Sequence, residues 1–87
     1  MSTQPPSLLV ITAPHLGQLL KATRKRQRMS QAAVAAQVAI SQNRLSVLEN
    51  NPDAISVAQL LRWCSALGLE LQVGERPAEE PNNALEW

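Results

Sequence analysis

Phenylalanine and tyrosine are absent from this 87-residue chain, which has two tryptophans, one cysteine and one histidine. With no Phe or Tyr and only two Trp, the interior must be built from Leu, Val, Ile and Ala, which favours helices over a ring-rich sheet. The same shortage argues against RNA-binding modules that stack bases on exposed rings. The lone Cys64 allows no internal disulfide and fits a reduced, cytosolic home. One His and one Cys supply no metal ligand set. The folded part also lacks paired catalytic carboxylates and a Gly-rich phosphate loop, so neither enzymatic activity nor a cofactor is expected. The apolar run "SLLVIT" near the start is too short for a signal peptide or a membrane span, and the chain is read as soluble and cytoplasmic.

Acidic residues are missing from the whole first half. Up to Leu48 there are six basic residues (Lys21, Arg24, Lys25, Arg26, Arg28, Arg44) and no acid, a balance of +6. From Glu49 onward two Arg face seven Asp and Glu, a balance of −5. The first half therefore suits a polyanion that the second would repel. A solvated helix face rich in Lys and Arg is the plainer explanation, and a motif has to decide between the two.

At this length one small domain is expected, without room for a large active-site cleft. Three apolar-Ser pairs recur, each with an apolar residue four positions after the Ser: Met29-Ser30 with Val34, Ile40-Ser41 with Leu45, and Ile55-Ser56 with Leu60. Each reads as an N-cap hydroxyl preceded by a hydrophobic staple, which predicts helices starting near residues 31, 42 and 57. Ser56 and Gln59 add a capping box. An earlier helix, from about His15 to Gln27, follows from the stripe Leu16, Leu19, Leu20 and Thr23, with Pro14 at its entry. The fourth helix is predicted to bury Val57, Leu60, Leu61, Cys64 and Leu67 and to end at Gly68. Cys64 is then a small core residue, and Trp63 is placed at the core edge or on a dimer surface.

After Gly68, Leu69, Leu71 and Val73 alternate with Glu70 and Gln72 in the two-residue period of a strand. A lone strand needs a partner, either "LLVIT" or the same strand of a second copy. From Glu75 the composition turns to Pro, acids and Asn and reads as a disordered tail closing on Leu85 and Trp87. The expected division is an N-terminal arm over 1–12, a domain over 13–74 and an acidic tail over 75–87.

The second and third helices are separated by only "AIS", room for nothing but a tight corner. Two helices so joined, the second with a polar outer face, form a helix-turn-helix held by Val34, Ala35, Val38, Ile40, Leu45 and Leu48. Gln42, Asn43 and Ser46 then face outward as readers of base edges, and Val47 suits a thymine methyl. Phosphates need donors or charge without sequence discrimination, a role given to Arg28, Ser30, Gln31, Ser41 and Arg44.

At this point "MSQAAVAAQVAISQNRLSVLEN" resembles the lambda-repressor-like, xenobiotic-response-element (XRE) type of helix-turn-helix over roughly residues 15 to 73. The resemblance implies an all-α, compact four-helix DNA-binding domain, a phosphate grip by Gln31 and a structural ion pair between Arg24 and Glu49. Where the family usually has Gly in the turn, this chain has Ala39, which is strained if the corner is left-handed. The order of elements, "ENNPD" after the third helix and the terminal "LEW" further resemble the HipB antitoxin family. That likeness implies a homodimer sharing the strand Leu69, Leu71 and Val73, autorepression at palindromic double-stranded operator DNA, and neutralisation of a HipA-type kinase toxin through Leu85 and Trp87. A plain repressor without a toxin is the competing expectation, and a protein-only adaptor explains the missing acids poorly.

Overall fold

A computed structural model of the chain describes residues 9–76. Four α-helices follow one another, α1 (Ala13–Arg26), α2 (Gln31–Val38), α3 (Gln42–Asn50) and α4 (Val57–Leu67), with a short 3-10 turn over Pro52–Ala54 between the last two. Helices α2, α3 and α4 begin at the residues that the Ser signals predict. The hydroxyls of Ser30, Ser41 and Ser56 each accept the amide N–H three residues on, at 3.0 Å, and Gln59 returns the bond to Ser56 to complete the capping box. Gly68 closes α4 in the left-handed conformation, φ 71°.

Helix α1 starts two residues earlier than expected because Thr12 caps it, accepting from the His15 amide at 3.2 Å. Its buried face is Gly17, Leu20, Thr23 and Arg24, while Leu16 packs half-buried at the margin. Gly17 sits where α1 passes the segment after α3. A Cβ there would lie 2.8 Å from Pro52 Cγ and 3.1 Å from the Glu49 carbonyl oxygen, so the approach requires the missing side chain. At its other end α1 is tied down by Gln27, whose side-chain N–H donates to the Leu67 carbonyl at 2.7 Å and satisfies an orphan acceptor of the last turn of α4.

The core is one cluster of Leu20, Val34, Ala35, Val38, Leu45, Leu48, Trp63 and Leu67. Two expectations about α4 need correction. Trp63 is 0% exposed and is the largest side chain of the core, not a residue of its edge. With no Phe or Tyr available, the indole fills the volume where α2 and α4 pack together. The helix is accordingly rotated toward Leu60, Trp63, Cys64 and Leu67, leaving Val57 and Leu61 exposed. Burial pushes the Cys64 thiol up, so it stays protonated and serves as a small apolar residue.

Among the described residues no strand forms. Residues 69–76 follow α4 without regular structure, and Leu71 and Val73 point largely into solvent. Among the described residues this segment does not pair with residues 9–12, so the alternating pattern has no strand partner there.

Candidate nucleic-acid interface

The corner between α2 and α3 sets everything that follows. Helix α2 ends in Ala39 at φ 70° and ψ 41°, and the Ile40 amide donates back to the Ala35 carbonyl at 3.0 Å. The left-handed turn expected there is thus taken by a residue with a Cβ, at a cost of roughly 1–2 kcal/mol. Ala35, 2% exposed, lets the two helices cross closely. Among the described residues one more carries positive φ without being glycine: Arg28, at 59°, in the turn between α1 and α2. Nothing in its local sequence announces this; the chain must double back there from the end of α1 into the Ser30 cap.

Helix α3 is divided lengthwise. Leu45 and Leu48 are 0% exposed, and Glu49 is buried beside them. On the other side Gln42, Asn43, Arg44 and Val47 are exposed, with Ser46 half-buried at the boundary. The four expected base readers therefore lie on one helix, three of them open to solvent. Asn50 extends the outer row, and its side-chain N–H is held by the Ser46 carbonyl at 3.0 Å.

The phosphate candidates gather at helix starts. Ser30 and Ser41 use their hydroxyl oxygens as acceptors for the caps of α2 and α3, which leaves each O–H free to donate. The first amides of each helix have no intrahelical partner, and the helix dipole adds positive potential at the same point. Gln31 occupies the first position of α2, half-buried. Arg28 and Arg44 are exposed. Lys25 and Arg26, exposed at the end of α1, extend the basic segment toward that turn.

Arg24 belongs to a different class. Its Nε donates to Glu49 Oε2 at 2.7 Å and Nη2 to Glu49 Oε1 at 3.2 Å, while Nη1 donates to the Met29 carbonyl at 3.0 Å. Both charged side chains are almost wholly buried, 9% and 1% exposed. The pair joins α1 to α3 and fixes the entry to α2, and one of the six basic charges is thereby neutralised and withdrawn from the surface. Gln31 joins the same group through its side-chain N–H, which donates to Glu49 Oε1 at 3.1 Å. Sequence spacing carries no signal for that last bond, since the partners are on separate helices.

Leu85 and Trp87 lie outside the described residues. Among the described residues no cluster of three His, Cys, Asp or Glu side chains could hold a metal, and no helix is long and apolar enough to cross a membrane.

Compared with known proteins, the helix-turn-helix family matches residues 20–73, well over half of the chain. No curated protein matches. Among solved structures, a chain of a HipB–O2 20mer complex superimposes with a TM-score of 0.70 at 26% identity, covering 82% of this chain and 100% of that one. A chain of a HipA–HipB–O2–O3 complex gives a TM-score of 0.74 at 21% identity, with the same coverage. A structure described as MDT protein gives 0.73 at 21%, again over 82% and 100% of the two chains.

Proposed function

Because this chain belongs to the XRE-type helix-turn-helix family, we propose that it is a dimeric, sequence-specific DNA-binding autorepressor that also serves as the antitoxin of a HipA-type serine/threonine kinase. The observation that carries the DNA reading is the division of α3, with Leu45, Leu48 and Glu49 inside and a continuous outer row of hydrogen-bonding side chains. A helix presented this way by a tight corner enters the major groove with its N-terminal residues on base edges. Gln42 and Asn43 amides suit adenine, Ser46 bonds either base type, and Val47 contacts a thymine methyl. Arg28, Ser30, Gln31, Ser41 and Arg44 fix the register on phosphates.

A second copy completes the domain in this reading. Val57 and Leu61 on α4, together with Leu71 and Val73 beyond it, expose apolar surface that a monomer has no use for. Pairing of Leu69, Leu71 and Val73 across a two-fold axis gives the segment backbone partners that the described residues do not supply, and sets two α3 helices to read the halves of a palindrome. Residues 1–12 act as an arm, 13–74 as the DNA-binding and dimerisation domain, and 75–87 as the acidic tail whose Leu85 and Trp87 engage the kinase. The kinase role rests on the likeness to HipB chains, one of them from a structure that contains HipA. The protein acts in the cytoplasm, on the nucleoid.

A pull-down with the full chain and with a chain lacking residues 85–87, read by mass spectrometry, tests the antitoxin role. Capture of a HipA-type kinase that is lost on truncation is the expected result. Equal capture by both moves the contact to the helical domain, and no kinase from a lysate shown to contain one leaves a plain repressor.

A further inference from the structure

The Arg24–Glu49 pair and Gln31 carry an inference about how the DNA contact is prepared. We propose that Glu49 is a positioning residue for DNA binding: its buried carboxylate, locked by Arg24, dictates which end of the Gln31 amide is offered to a phosphate. This rests on the DNA reading given above and deepens it.

A glutamine side chain is asymmetric, with two donors on one end and an acceptor on the other. A phosphate oxygen only accepts, so a Gln that presents its oxygen is repelled, and one that presents N–H is bound. Free rotation about the last torsion makes both orientations available to an exposed Gln. Here Glu49 Oε1 lies 3.1 Å from Gln31 Nε2 and Glu49 Oε2 lies 2.7 Å from Arg24 Nε. Both oxygens of this carboxylate already accept from Arg24, so Gln31 meets it with the donor, nitrogen end of its amide. One N–H of Gln31 is consumed, and the other is left as a donor on the residue that follows the Ser30 cap and opens α2.

The same carboxylate is itself immobile. Its side chain is 1% exposed, and Arg24 holds both of its oxygens while also gripping the Met29 carbonyl in the turn that leads into α2. Three helices therefore meet in one hydrogen-bonded group whose outermost member is Gln31. Ordering a Gln side chain costs rotamer entropy when it happens on binding. In this group that ordering is complete before DNA arrives, as part of folding.

The test is a double-mutant cycle on the full chain with Gln31→Ala, Glu49→Gln and both together, read as affinity for a short duplex of scrambled sequence, because a phosphate contact is blind to sequence. Glu49→Gln keeps the size of the side chain but lets its amide meet Gln31 with either end. The expected result is a loss of roughly tenfold for each single variant and no further loss in the double variant. A purely structural Glu49 gives losses that multiply, and that result overturns the proposal. Glu49→Gln is also expected to unfold part of the population through the unpaired Arg24, so a second readout uses the wild type alone. Side-chain 15N relaxation in the free protein should show the Gln31 amide as ordered as the backbone, while the exposed Gln37 on the same helix tumbles freely. Equal mobility of the two amides overturns the proposal without any variant. A wild type that binds no duplex at all removes the DNA reading itself and this proposal with it. That failure is distinct from one in which the wild type binds and the losses multiply.

Discussion

The inner and outer sides of α3 are built to opposite rules on nine residues of one helix. Inside, Leu45 and Leu48 are 0% exposed and Glu49 has its charge answered by Arg24, so every atom is committed to a neighbour. Outside, Gln42, Asn43, Arg44 and Val47 make no side-chain hydrogen bond within the described residues and lie open to solvent. Polar side chains that stabilise nothing in the free domain are available to bind something else. Stability and recognition are separable along most of this helix and are joined at its Ser41 cap and at the bond between Glu49 and Gln31.

The comparison predicts that changes on the two sides have different readouts. Glu49→Ala should have the largest effect, destabilising the fold by about 3–5 kcal/mol because Arg24 is left charged and buried. Urea denaturation followed by circular dichroism would measure it, and a loss under about 1 kcal/mol would mean that the pair is solvated. Gln42→Ala should do the reverse. Stability should hold within about 0.5 kcal/mol while discrimination at the cognate base falls by about 1–3 kcal/mol, as seen in competition binding with operators changed at single positions.

Gly17→Ala probes the inner frame more gently. Its new methyl meets Pro52 and a backbone carbonyl, and the strain, partly offset by better helix propensity, should cost about 1–2 kcal/mol in the same denaturation experiment. Smallest is Ala39→Gly at the corner. Removing a Cβ from a left-handed position gains about 1–2 kcal/mol, and the added freedom of the unfolded chain returns about 0.4–1, so a net stabilisation near 1 kcal/mol is expected. A lowered melting temperature for that variant would show that the Ala39 conformation is unstrained.

Much of this frame is legible in the residues. The three Ser caps set the starts of α2, α3 and α4 because capping is a local interaction, spelled within four positions. Gly68 marks the end of α4 for the same reason, while the corner at Ala39 is read from the shortness of the "AIS" link and not from the alanine itself. What local pattern does not carry is which side of a helix faces which neighbour. The burial of Trp63 and the outward turn of Val57 and Leu61 depend on α2 lying against α4, and the need for Gly17 depends on a proline 35 residues away in sequence. The side-chain bonds Gln27 to Leu67 and Gln31 to Glu49 are invisible for that reason too. The alternation over 69–73 is real as a pattern, but a strand is a property of two segments, and the described residues supply only one of them. In the candidate interface, the outer face of α3 is readable from helical spacing once its start is known. The restraint on Gln31 is not.

The most direct test of the account is a fluorescence-anisotropy titration of the full chain, wild type and Gln42→Ala, against DNA from upstream of its own gene and a scrambled duplex, at low and moderate salt. The account predicts that the wild type prefers its upstream DNA by a large factor. It also predicts that Gln42→Ala gives up roughly tenfold or more of that preference while keeping the affinity and salt slope seen on scrambled DNA. Unchanged preference in the Gln42→Ala protein, or a wild type that treats the two duplexes alike, would contradict it.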